Sequence, residues 1–204
     1  MTIKHIIFDL GETVLTDDWN VNYHQLLQEF SDYYNISFDN MQKAWLSLWP
    51  KIKVGKINED VFWKNFLTIS ESEKLNIEPA KMFWRDFQKP IENMLSLVVR
   101  IKENYQVSAL ANTAKEWFDF KRQKFDLDEY FDVIVASGHV GIAKPSPEIF
   151  QIILNRLNAK AEECLFIDNK EKCLLSARKM DMRTVLFTNQ TELERKLLKV
   201  GINF

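Results

Sequence analysis

Short apolar runs recur along the chain at residues 3–8, 107–111, 133–136, 165–167 and 184–187, each ending at a turn or a polar residue. Continuous runs of this length, without the in-out alternation of a half-solvated strand, predict strands buried on both faces of a parallel sheet. Between them apolar positions recur at helical spacing over residues 94–103, 114–125, 147–157, 171–180 and 191–200. Helix and strand therefore alternate from residue 94 onward. That order predicts an α/β fold with a doubly wound, Rossmann-like parallel sheet in a three-layer sandwich.

The alternation fails between about residues 17 and 90. Helix-like segments fall there at 21–34, 40–48, 58–69 and 79–88, with apolar pairs such as Phe62 and Phe66, or Phe83 and Phe87, four apart on one face. The spacing predicts an all-helical insertion after the first strand, so residues 1–16 and 91–204 form the core and residues 17–90 a cap. Five of the six Trp lie in that insertion: Trp19, Trp45, Trp49, Trp63 and Trp84. Aromatic residues at helical spacing usually pack on one another, so most of these are expected in the insert's own core and a minority against a substrate.

Composition narrows the function. The chain has 204 residues, 46% hydrophobic and 27% charged, enough for one well-buried core with an inserted subdomain. Formal net charge is -2 and the Lys and Arg residues are scattered, which argues against nucleic acid or an anionic membrane as partner. The first apolar run is too short for a signal peptide, and no later stretch approaches the roughly 20 apolar residues of a membrane span, so the expected location is cytoplasmic. Cys164 and Cys173 lack the spacing of a zinc knuckle or redox pair and read as reduced packing residues. An exposed aromatic patch on the insert would offer a homodimer surface.

In an open parallel sheet, ligands bind beyond the carboxyl ends of the strands. At those ends stand Asp9, then Asn112 and Thr113, then Gly138 leading to Lys144, and finally Asp168. Taken singly, an acid at a strand end caps the next helix and a lysine is solvated. Four such groups, each at a strand exit, point instead to one shared site.

Here the chain resembles the haloacid dehalogenase-like hydrolases, in the branch with a helical C1 cap between the first motif and the second strand. FDLGETVL resembles the first motif, usually Asp-x-Asp-Gly-Thr, LANTA the second, AKPSPEIF the third and LFIDNKEKCLLSARKMDM the fourth. The resemblance implies a Mg²⁺-dependent phosphatase of a small phosphorylated metabolite. Asp9 would attack phosphorus to give an aspartyl-phosphate, and Lys144 would offset the charge. Asp9, Asp168 and the carbonyl of Gly11 would hold the ion. Thr13 would steady the loop beside the substrate, with Asn112 and Thr113 at the phosphoryl oxygens.

Three positions depart from the family pattern. Gly11 stands where most of its phosphatases carry an aspartate that protonates the leaving group, a loss typically worth a factor of about 10² to 10⁴ in rate. Ala111 replaces a hydroxyl residue, and Asn169 replaces a second motif-four aspartate. Glu12, or Asp17 and Asp18 in the loop entering the cap, would be replacement proton carriers. His5, His24 and His139 are assigned no role. The alternative implied by these departures is a catalytically impaired binding or regulatory protein. Carbon-halogen hydrolysis is disfavoured because that branch carries a tyrosine where this chain has Gly11.

Overall fold

The structure is a computed structural model describing residues 2–16 and 24–204, with the side chains of residues 24–26 outside the description. Asp17, Asp18, Trp19, the start of the first expected helix and the His24 side chain therefore lie outside the described residues.

Five strands form the parallel sheet: β1 His5–Phe8, β4 Gln106–Ala111, β5 Val133–Ala136, β6 Cys164–Asp168 and β7 Arg183–Leu186. Their order is β5-β4-β1-β6-β7, every pairing parallel. The chain thus leaves β1 for one side of the sheet and returns to the other, so β1 sits at the point where strand order reverses. Successive side chains on a strand face opposite ways. Ile6, Phe8, Leu165 and Ile167 accordingly pack on one face, against α5 Met94–Lys102 and α11 Gln190–Lys199. Ile7, Leu110 and Phe166 pack on the other, against α9 Pro147–Leu157 and α10 Glu171–Arg178. Covering both faces is what makes the strand sequences continuously apolar.

The helical segment comprises α1 His24–Tyr34, α2 Phe38–Ile52, α3 Glu59–Ile69 and α4 Glu78–Phe87. Ser37 caps α2 by accepting the Asn40 N–H, and Asn58 caps α3 by accepting the Val61 N–H. Helix α2 runs longer than the 40–48 expected from periodicity and takes Pro50 into its last turn. A proline there leaves without a partner only the carbonyl four residues back. That residue, Leu46, is 64% exposed, on the side of the helix open to water. The helices bury Phe62, Trp63, Phe66 and Leu67 completely, as a core separate from those on the sheet.

Four small elements escape the periodicity. Strands β2 Leu15–Thr16 and β3 Lys89–Pro90 pair antiparallel, bringing the entry and exit of the helical segment together. Helices α7 Leu127–Tyr130 and α8 Ser137–Val140 are single turns, and the remaining core helix is α6 Lys115–Lys124. Two to four residues are too few for either period to register. Among the described residues no helix is long and apolar enough to cross a membrane.

Candidate active site

The strand order places the ends of β4, β1 and β6 side by side, and the polar residues at those ends meet there. Lys144 Nζ donates to Asp9 Oδ1 at 2.7 Å and to Asp168 Oδ2 at 2.7 Å. The residues are 6%, 3% and 0% exposed for Asp9, Lys144 and Asp168, so this bridge is nearly excluded from water. The backbone holds each member. The Asp9 N–H donates to Ile167 O, and Asp168 Oδ1 accepts the Lys170 N–H at 2.7 Å. Asn112 clasps Lys144 from both sides, its Nδ2 donating to Lys144 O at 2.9 Å and its Oδ1 accepting the Lys144 N–H at 2.8 Å. The Lys144–Pro145 peptide bond is cis.

Charge in the bridge does not balance. Two carboxylates against one ammonium leave a buried site one charge negative, and burial of an anion is costly without compensation. Burial accordingly pushes the Asp9 carboxyl up, to about 6, with Asp168 adding to the rise and Lys144 opposing it. Burial also works against the Lys144 ammonium, but the two carboxylates outweigh it and hold its pKa above the ordinary lysine range.

The bridge forms the floor of a cavity of about 400 Å³. Gly11, Glu12, Asn112 and Thr113 also line it from the sheet side, whereas Trp45, Trp49, Lys53 and Trp84 come down from the helical segment. Glu12 takes a positive φ of 55° in the turn after β1, which its N–H closes by donating to Leu15 O. Thr113 is held by its N–H, which donates to Ser137 Oγ at 2.9 Å.

Thr13 departs from expectation. It is fully buried, and among the described residues it does not line the cavity and its hydroxyl finds no hydrogen-bond partner. Backbone bonds steady the loop instead, with the N–H groups of Thr13, Val14 and Leu15 all donating to Leu10 O. The tryptophans depart too: of the four described in the insert, only Trp63 is confined to its core, while Trp45, Trp49 and Trp84 also wall the cavity. Helical spacing reports that residues share a face, not whether the edge of that face is covered.

Two contacts that no sequence signal announced lock the helical roof to the sheet core. Trp117 Nε1 on α6 donates to Glu59 Oε1 at 3.0 Å, and Arg85 Nη2 donates to Glu59 Oε2 at 3.0 Å, so a buried glutamate in the roof ties a core indole to a roof guanidinium. Ser137 Oγ donates to Lys53 O at 2.5 Å. Beside it a Cβ on Gly55 would come within 2.6 Å of Gly138 O, and Gly55 has φ +68°. Glycine alone fits that approach. His139 lies outside the cavity, its Nε2 paired with Asp119 Oδ1 at 2.8 Å.

A hard divalent cation suits the floor. Among the described residues no three His, Cys, Asp or Glu cluster together, but Mg²⁺ characteristically takes only one or two carboxylates and completes its shell with waters and substrate oxygens. Asp9 and Asp168 supply that pair and the negative surplus. Asn169 Oδ1, one residue on, is buried without a hydrogen-bond partner among the described residues, as an oxygen facing a ligand or its water would be.

The haloacid dehalogenase-like hydrolase family model matches residues 3–181. D-ribitol-5-phosphate phosphatase of Bacteroides thetaiotaomicron is 22% identical over 202 residues, covering 96% of this chain and 97% of that protein. Drimenol cyclase drtB of Aspergillus calidoustus is 26% identical over 157 residues, 75% of this chain, and the chain spans only 30% of that protein's length. A solved HAD family enzyme from Bacteroides thetaiotaomicron, in complex with magnesium and inorganic phosphate, superposes with a TM-score of 0.78 at 20% identity, over 94% of this chain and 98% of that one.

Proposed function

We propose that this chain, which belongs to the haloacid dehalogenase-like hydrolase family, is a Mg²⁺-dependent phosphatase of a small phosphorylated metabolite. The observation that carries the reading is the buried Asp9–Lys144–Asp168 bridge at the floor of a cavity. A phosphatase name on a relative aligned along nearly its whole length, and magnesium with phosphate in a solved neighbour, support it.

In this reading residues 1–16 and 91–204 are the catalytic core and residues 17–90 the cap. Asp9 Oδ2, which Lys144 does not bond, attacks phosphorus. The bond to the leaving oxygen breaks with its electron pair, and an aspartyl-phosphate remains. Lys144 holds Asp9 in place and offsets the negative charge of the incoming phosphoryl group. Asp9, the Gly11 carbonyl and Asp168 would hold magnesium, with Asn169 on one of its waters, and the ion would supply neutralisation of the phosphoryl oxygens. Asn112 positions Lys144 through its backbone and keeps one N–H for a phosphoryl oxygen, beside Thr113. Glu12, the further acid lining the cavity, carries the proton for water's attack on the intermediate, which returns Asp9 and releases phosphate.

The test is turnover of 4-nitrophenyl phosphate with and without Mg²⁺, beside Asp9→Asn. Metal-dependent hydrolysis that falls by about 10⁴-fold or more in the variant is expected. Equal activity of both proteins would remove Asp9 from the mechanism, and no hydrolysis of any phosphate ester would favour the binding-protein alternative.

A further inference from the structure

The cavity above the floor has a composition of its own, and it bears on which ester the floor acts upon. Trp45 and Trp49, four apart on α2, stack at 5.5 Å with planes 13° apart. Trp117 of the core lies 5.9 Å from the first and 6.3 Å from the second, each at 11°. The three near-parallel indoles thus stack on one another at the cavity's edge, where Trp45 and Trp49 are half-buried and Trp117 is covered, so the apolar surface left to a ligand is that of the first two. The roof adds no carboxylate, amide or hydroxyl to the cavity lining among the described residues. A polyol chain would find there only the Lys53 ammonium as a polar partner from the roof, and each further buried hydroxyl would lose water's hydrogen bonds at a cost. A planar ring would lose nothing and gain stacking area.

Around the same cavity stand Lys53, Lys170 and Lys172. None of them forms an ion pair among the described residues, whereas both carboxylates of the floor are already joined to Lys144. Burial first, and then the neighbouring Lys172 and Lys170, hold Lys53 below the ordinary lysine range. Glu12 is the further carboxylate lining the cavity, and three ammonium groups against it still leave positive charge beyond what Lys144 supplies at the floor.

We infer that the substrate is a phosphate monoester of a planar aromatic group bearing a second anionic substituent, its ring against the half-buried Trp45 and Trp49 indoles and its second charge met by Lys53, Lys170 and Lys172. This rests on the phosphatase reading. It also accounts for Gly11. An aryl oxygen leaves as a phenolate, taking the electron pair of the broken P–O bond while Asp9 forms the new one, and then collects a proton from solvent. Such a leaving group needs no carboxylic acid at residue 11.

The experiment compares kcat/KM for 4-carboxyphenyl phosphate, phenyl phosphate and glycerol phosphate with Mg²⁺ present. The expected order is carboxyphenyl over phenyl by about tenfold, the range of one charge-assisted contact, with glycerol phosphate last. Lys53→Gln should bring the carboxyphenyl-to-phenyl ratio toward one and Lys53→Arg should restore it, while Trp49→Leu should lower the aryl-to-glycerol ratio. Equal rates on the two aryl esters, a lead for glycerol phosphate, or a Lys53→Gln effect that is the same on both aryl esters would overturn the inference. If no ester turns over, the phosphatase reading fails separately. Titration of tryptophan fluorescence in Asp9→Asn then decides the ligand class: tighter binding of 4-carboxyphenyl phosphate than of glycerol phosphate upholds it, and equal or absent binding overturns it.

Discussion

The floor of the cavity and its roof rest on opposite physics. The floor is three ionised groups, Asp9, Lys144 and Asp168, shut away from water and joined by two bonds of 2.7 Å. Its stability depends on a count of charges, so removing one member leaves the others uncompensated. The roof is a mesh of rings in which Phe62 alone lies 5.0 to 5.8 Å from Trp45, Trp63, Phe66 and Trp117. Each such pair adds about 0.5–1.5 kcal/mol beyond the area it buries, and the loss of one leaves the rest in place. In the proposed reading, a site divided in this way would keep its reactive geometry in the part that tolerates no change and its substrate choice in the part that does.

The difference can be broken most severely at Lys144. Lys144→Ala should cost about 3–5 kcal/mol, the range for a buried ion pair that loses one partner, and should abolish turnover. Urea denaturation and kcat/KM measure the two effects. A stable, active variant would show that the floor does not depend on its charge count.

Phe62→Ala should cost a similar amount in stability, about 3–5 kcal/mol for a fully buried phenylalanine, yet the folded fraction should keep its kcat within about threefold. Loss of kcat as complete as in Lys144→Ala would erase the distinction between roof and floor.

Glu59→Ala addresses the link between the roof and the core that carries the floor. It leaves the Trp117 indole N–H and the Arg85 guanidinium without their shared acceptor, a cost of about 1.5–3 kcal/mol. KM should rise more than kcat falls, because the roof loosens over an intact floor. A fall confined to kcat would place Glu59 in the chemistry instead.

The smallest effect has the opposite sign. Asn169→Asp adds a carboxylate beside Asp168, and the Mg²⁺ concentration giving half-maximal activity should drop by about tenfold, since cation affinity follows the ligand charge count. An unchanged or higher value would move the metal away from β6.

Much of the fold was legible because periodicity and burial are local consequences of side-chain type. The strand Val133–Ala136 and the helix Pro147–Leu157 begin and end where their patterns do. The residues at the strand ends were legible too, since Asp9, Asn112, Lys144 and Asp168 each interrupt an apolar run or follow a turn. What they do to one another was not. Nothing local says that Asn112 spends its amide on the Lys144 backbone, or that Thr13 turns into the core.

The sequence by itself determined a covered parallel sheet, a helical insert and a set of polar strand exits, because each depends on the chemistry of a few neighbouring residues. Only the tertiary structure decided that Trp45 and Trp49 meet Trp117, that Glu59 bridges the roof to the core, and that Lys53, Lys170 and Lys172 share one cavity. Those pairings join residues tens of positions apart. Strand order and the close approach of Gly55 to Gly138 set them, and no periodicity along the chain encodes either.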